Sequence, residues 1–320
     1  MNKKKLVSQL TVILVIIMMF VSLDVGIYQL LIKRVTSHRT PAMQKQMIVV
    51  SDYVPFTDAP GVYSCDSAEK LEGDIPTIDG ATALLPMYAG FVESLYPEEA
   101  VVFDGETYTD ASAMQYNNTL EAYTDLVDGK ADIIICAQPS DEQLAYAAEH
   151  GVEFEMTRIG SDAFVFIVNP NNPVDDITLD DVRGIYSGEI TNWSELGGDN
   201  RQIAAMQRIK NSGSQTALEK IMGDIPIRRD YTTLLGSPIG FSYRYYVTGL
   251  LAEGGVKILK INGVEPTPET IADGSYPVSG GVYAISRKGD TNENVQRMKD
   301  FMLSPEGQKI VEQSGYIPLS

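Results

Sequence analysis

Two histidines, two cysteines and one tryptophan are all that 320 residues contain of those types. His38 lies beside an apolar N-terminal run and His150 at the end of a predicted helix, so neither a histidine-based triad nor a metal cluster has material to form from. Cys65 and Cys136 make no Cys-x-x-Cys pair and read either as one disulfide or as two free thiols. Gly-x-Ser-x-Gly, His-Glu-x-x-His and Gly-Lys-Ser/Thr are all absent from the sequence. Ser212 and Ser214 have no evident base beside them. The sequence therefore predicts a protein that is not an enzyme, has no catalytic residue, and needs neither cofactor nor metal.

Positive charge is scarce as well. The formal net charge is -18, from 25 Lys and Arg against 43 Asp and Glu. The first 40 residues hold six of those bases and one of the acids, Asp24, leaving 19 bases against 42 acids beyond them. A field of that sign repels nucleic acid and anionic membrane, so no nucleic-acid partner is expected. Any anion bound there must be held by local dipoles and a focused cation. Hydrophobic residues, at 44%, suffice for packed cores, and the length suits one large domain or two lobes. Neither repeats nor low-complexity tracts occur.

Lys3, Lys4 and Lys5 precede an apolar run from Leu10 to Leu23 that extends less cleanly through Ile32. No small-x-small cleavage site or lipid-accepting cysteine follows. Leu6 to Ile32 exceeds the roughly 20 residues a spanning helix needs. Residues 1–40 are thus expected to be a signal-anchor or transmembrane segment and tether, with a cleaved signal peptide as the other reading. The acidic remainder is expected to face outside the cytoplasm.

Beyond a Gly-, Pro- and Ser-rich entry, with a short candidate strand at residues 47–50, strands and helices alternate as in α/β folds. Asp79-Gly80-Ala81-Thr82-Ala83 leads into a helix with Leu84, Leu85, Tyr88, Phe91, Val92 and Leu95 on one face. A strand is expected over Ala100–Phe103. Asn118-Thr119 and Ser140 open further helices, and Asp132–Ala137 reads as a buried strand. Phe164–Val168 is a strand, followed by a turn-rich Asn169–Pro173 suited to a crossing between lobes. Thr178 caps a short helix, with Trp193 in a turn after it. Ile239–Tyr246 reads as a strand whose Arg244 either faces a cleft or covers the surface. Val256–Ile261 is another strand, and Tyr276–Ile285 a return crossing. The chain closes with helices at Asn294–Leu303 and after Ser304-Pro305.

The stretch richest in chemistry is Gln207 to Ala217. Arg208 precedes a Ser212-Gly213-Ser214-Gln215 loop and a helix start, with capping-box spacing at both Ser212/Gln215 and Thr216/Glu219. A helix N-terminus exposes N–H groups and about half a positive charge, and a guanidinium adds a forked donor. Together they suit an oxyanion.

The order and spacing of these pieces resemble the substrate-binding proteins of phosphate-type ABC transporters, of the type II periplasmic-binding-protein fold. The resemblance runs from about Asp74 to the C-terminus, through Ile185–Trp193, Asn211–Thr216, Tyr276-Pro277 and Ser304–Gln308. It implies two α/β lobes joined by two crossing strands: residues 41–165 plus 279–320 as lobe 1 and 166–278 as lobe 2. It implies a small inorganic oxyanion, phosphate first, held in the cleft of a monomer and delivered to an ABC permease in the membrane. A membrane-tethered sensory module using the same clamp is the alternative. The ligand-binding positions it implies are Gly80, Ala81, Thr82 and Ala83 on one side and Arg208, Ser212, Gly213, Ser214 and Gln215 on the other. Asn118, Thr119, Gln138 and Ser140 match more loosely. One position departs from the pattern. Lys210 stands where well-known phosphate binders often carry an aspartate, and a lysine can only donate. It either bears on the choice of anion or points to solvent.

Overall fold

The computed structural model describes residues 48–228, 236–250 and 255–319, all within a compact unit spanning Lys45–Ser320. The expected N-terminal anchor lies outside the described residues. Among them, no helix is long and apolar enough to cross a membrane.

Nine strands and eight α-helices are described, and they build a two-lobed mixed α/β fold. In the first lobe, β1 (Ile78–Gly80) leads through a 3-10 turn at Thr82–Leu84 into α1 (Leu85–Leu95). Pro86 sits in the first helical turn, where its missing N–H costs nothing. Then come α2 (Thr119–Val127), β2 (Ile133–Cys136) and α3 (Asp141–Glu149). Strand β3 (Phe154–Val168) leads to β4 (Asp176–Ile177), α4 (Leu179–Ser187), β5 (Ile203–Ala205) and α5 (Gly213–Met222). The second lobe continues with β6 (Ser237–Tyr243), β7 (Lys257–Ile258), β8 (Lys260–Ile261) and α6 (Pro268–Ala272). Strand β9 (Ser279–Arg287), α7 (Glu293–Leu303) and α8 (Pro305–Gln313) return to the first lobe.

One seven-stranded sheet, ordered β1-β2-β9-β3-β6-β5 with β7 added beside β3, runs through both lobes. Fifteen-residue β3 is the shared member. Its first part pairs with β9 as far as Ala163↔Ser279, and from Phe164 onward it pairs with β6. The chain thus passes between lobes inside β3, and Asn169–Pro173 follows at its far end. Before that passage the β3–β9 register shifts between Arg158 and Gly160, a bulge.

Each half has its own apolar filling. In the first, Tyr88, Phe91, Val92 and Leu95 of α1 pack with Ile133–Ile135, Met298 and Ile310. In the second, the rings of Phe164, Phe166, Tyr186 and Phe241 lie 5.4–6.3 Å apart in tilted and edge-to-face pairs.

Two expected strands do not form. Residues 98–100 make a 3-10 turn and Phe103 makes a single bridge to Tyr108, because the short apolar run has no neighbouring strand to extend. Val50–Tyr53 is likewise 3-10. The strand expected to reach Tyr246 ends at Tyr243, where the chain coils into the wide turn Tyr246–Leu250. The two cysteines are free, with Cys136 buried at the end of β2.

Candidate functional site

The first-lobe side of the cleft is made by the end of β1 and the turn after it. Ala81 N–H donates to Ile135 O at 2.9 Å, so sheet pairing runs one residue past Gly80. Gly80 is tightly enclosed: a Cβ there would stand 2.7 Å from Ile135 O and 3.0 Å from the Tyr88 ring. The turn Thr82–Leu84 then starts, and its first N–H groups, those of Thr82 and Ala83, have no acceptor inside the turn. Below it lies Asp79, 1% exposed, accepting from Gly80 N at 2.7 Å, Asn117 N at 3.0 Å and Asn117 Nδ2 at 2.8 Å. Burial nevertheless pushes its carboxyl up to about 6.

The second-lobe side is the loop from β5 to α5. Ser212 is the N-cap, its hydroxyl accepting from Gln215 N at 3.3 Å. Gln215 does not reach back to complete a capping box. Its Oε1 accepts from Arg208 N–H at 2.9 Å, which pins the arginine's backbone against the helix start. The Arg208 side chain is half-buried, and its Nε is fully buried with no partner among the described residues. Desolvation pulls its pKa down, and the opposing neighbour that favours its charge is the hydroxyl of Tyr246. A guanidinium so placed, with no carboxylate beside it among the described residues, wants an anion.

Two tyrosines lie nearby. Thr82 donates to Asn117 O at 3.2 Å, and burial raises the pKa of Tyr116, with Thr82 opposing that rise. Tyr116 and Tyr246 feel each other electrostatically, as Tyr246 and Arg208 do. Neither tyrosine was among the positions expected from sequence. The available signals were the Tyr116-Asn117-Asn118-Thr119 run at a helix start and the tyrosine cluster around Arg244.

Elsewhere the lobes touch directly. Ser140 caps α3 and donates its hydroxyl to Asn211 Oδ1 at 3.0 Å. Gln143 Nε2 donates to Asn211 O at 3.4 Å. A Cβ on Gly213 would lie 3.3 Å from Thr119 Oγ1, so glycine eases the close approach of α5 to the start of α2. The clamp is closed.

Several expected positions have other tasks. Asn118 caps α2, its side chain accepting from Leu120 N and Glu121 N and donating to the Glu121 carboxylate. Ala81's N–H is occupied by Ile135, and Ala83's carbonyl accepts from the Tyr316 hydroxyl. Gln138 is turned toward the crossing strands, between Lys220 Nζ at 3.0 Å and the Tyr283 hydroxyl at 3.0 Å. Ser214 is buried at the first turn of α5. Lys210 pairs with Glu142 across the rim, both well exposed, and so neither donates to the centre nor replaces an acceptor in it. Arg244 takes neither expected course. It is half-buried, with Nε 3.7 Å from the Asp162 carboxylate and a donor bond to Gly315 O at 2.9 Å. Among the described residues no group of His, Cys, Asp and Glu could hold a metal ion.

A mixed α/β fold of two lobes, with helix starts near their junction and a half-buried guanidinium whose Nε has no partner among the described residues, is the architecture of a two-lobed ligand-binding protein. Residues 74–306 match the sequence model of the PBP superfamily domain, and the chain belongs to that superfamily. It is 26% identical over 280 residues to the phosphate-binding protein PstS of Bacillus subtilis, covering 80% of this chain and 84% of that one. The PstS of Staphylococcus saprophyticus is 26% identical over 270 residues, covering 78% and 82%. Among solved structures, a substrate-binding protein from Clostridium perfringens, assigned to phosphate ABC transport and holding phosphate, superposes with a TM-score of 0.57. It is 24% identical and covers 81% of this chain and all of that one. An ABC-type phosphate transport receptor from Vibrio cholerae gives a TM-score of 0.53 at 20% identity, covering 76% and 99%.

Proposed function

We propose that this protein is an extracytoplasmic solute-binding protein that clamps a small tetrahedral oxyanion, phosphate first, for an ABC permease, and is not an enzyme. The observation that carries the reading is the half-buried Arg208 guanidinium, its Nε without a partner among the described residues and its backbone held at the start of α5 by Gln215. Thr82 and Tyr116 add hydroxyls, and a hydroxyl both donates and accepts, so it can meet a protonated oxyanion without a carboxylate. The PstS relatives carry phosphate binding in their names, and this chain spans most of their length.

About six charge-assisted bonds at roughly 1.5–3 kcal/mol each leave enough, after association and closure, for micromolar binding near -8 kcal/mol. The lobes divide near residues 165 and 279, a reading supported by the exchange of β3's partner from β9 to β6 at Ala163 and Phe164, and Leu6–Ile32 tethers a monomer to the membrane. Among the described residues, His150 is exposed, with Nδ1 at 2.8 Å from Tyr146 O, and Ser140 and Ser212 cap helices.

Thermal melting of the full-length chain against phosphate, sulfate, molybdate and tungstate tests the reading. Phosphate raises the midpoint by mass action, about 2.7 kcal/mol at a hundredfold excess over Kd. Four oxyanions without effect at millimolar concentration would overturn it.

A further inference from the structure

A cavity of about 370 Å³ opens where α5 meets the crossing strands; Gln138 and Gly213, two of the positions expected to hold the oxyanion, line it, whereas Arg208 does not. Its polar lining is a connected row. Lys220 of α5 donates to Gln138 Oε1 at 3.0 Å, and Gln138 Nε2 donates to the Tyr283 hydroxyl at 3.0 Å. Tyr283 of β9 stands directly opposite Arg158 of β3 in the antiparallel register. Arg158 donates to Ser161 Oγ at 2.6 Å. The row thus starts in the second lobe, passes through the first and ends on a crossing strand.

Three features of the cavity point to an anion with an organic body. Arg158 and Lys220 both line it, and no aspartate or glutamate does, in a chain whose acids outnumber its bases 43 to 25. The acid whose field reaches Lys220 is Asp141, outside the lining. Thr216, 4% exposed, contributes to the wall, and its Oγ1 is buried without a partner among the described residues. Phe164 supplies an apolar wall between the polar ends. The volume lies within the roughly 300–1,000 Å³ typical of sites for small organic molecules.

We infer that this cavity is a second ligand site, for a small organic dianion of the dicarboxylate class, held between Arg158 and Lys220. Because Lys220 belongs to one lobe and Arg158 to the strand leading out of the other, such a ligand bridges the closed lobes. It therefore favours the same closed form as an anion at Arg208, and by linkage each ligand tightens the other.

Calorimetric titration of the full-length chain with succinate and malate, in a non-anionic buffer at fixed ionic strength, tests this. At least one of the two should bind. Arg158→Gln and Lys220→Gln should each weaken that binding about tenfold or more, with melting curves confirming that both variants fold. Arg208→Gln should leave the dicarboxylate titration in place, so the site stands or falls separately from the oxyanion reading. Repeating the phosphate titration with dicarboxylate present should lower the phosphate Kd about fivefold or more in the unsubstituted protein. The gain should disappear in Arg158→Gln. Absence of binding by both dicarboxylates at millimolar concentration overturns the proposal. So does binding that Arg208→Gln removes while Arg158→Gln and Lys220→Gln leave it intact.

Discussion

Arg208 concentrates the site's chemistry in one side chain. Its backbone is fixed by Gln215 and its Nε has no partner among the described residues, so an arriving anion meets a donor already oriented. Arg208→Ala removes about two charge-assisted bonds, roughly 3–5 kcal/mol, and should weaken phosphate binding at least a hundredfold by calorimetry. Unchanged affinity would take Arg208 out of the site. Asp79 and Asp162 make the opposite kind of prediction, since burial lifts the first carboxyl to about 6 and the second to about 7. Below about 3.8 both are protonated in folded and unfolded chains alike. Above that the unfolded chain releases protons that the folded one keeps, so their contribution to stability falls with rising pH and levels off near 6 and 7 respectively. Melting midpoints taken across this range should decline accordingly. Asp79→Asn should flatten the lower part of the slope, and it should lower stability overall by about 1–3 kcal/mol because its amide would face the Asn117 donor.

At the scale of elements, the helix starts were the most legible part of the sequence. Ser140-x-x-Gln143, Thr178-x-x-Asp181 and Ser304-Pro305 carry their capping chemistry in the residue types, and all three cap as expected. Strand β3 was read only from Phe164 onward because its earlier part has no apolar run: Glu155, Arg158, Ser161 and Asp162 interrupt it, and what makes it a strand is pairing with β9. The candidate site divides in the same way. The Ser212–Ser214 loop and the Gly80–Ala83 turn announce themselves by glycine and hydroxyl spacing. Tyr116 and Tyr246 do not, because only the fold brings them within electrostatic reach of Thr82 and Arg208. Gln138 and Asn118 show the converse, since a polar residue beside a helix start is as readily turned to a cap or a neighbouring cavity. Gly213 allows a test at this scale. Gly213→Val places new atoms against Thr119, where one Cβ alone already comes within 3.3 Å of Oγ1. Phosphate affinity should fall tenfold or more while the melting temperature without ligand shifts little. A large loss of stability with normal affinity would show that the contact supports the fold and not closure.

Across the whole molecule, the lobes are held together by polar contacts of unequal reach. Lys210–Glu142 sits at an exposed rim, where an ion pair contributes about 0–1 kcal/mol and is screened by salt. Ser140–Asn211 and the Gly213–Thr119 approach lie deeper. Lys210→Ala should therefore change phosphate affinity less than threefold at physiological ionic strength, as calorimetry would show. A tenfold change would return Lys210 to the anion's immediate surroundings.

The strand that both lobes share sets how such a molecule can move. A flexible loop between lobes would let them wander through many relative orientations before a ligand fixed one. Here the joint is a hydrogen-bonded ribbon with one irregularity, the register shift between Arg158 and Gly160, lying just before the exchange of partners at Ala163 and Phe164. Opening then amounts to untwisting along a single coordinate, with the sheet acting as its own return spring. The cost of motion is elastic and recoverable, so cargo can be released without any part of the hinge having to refold.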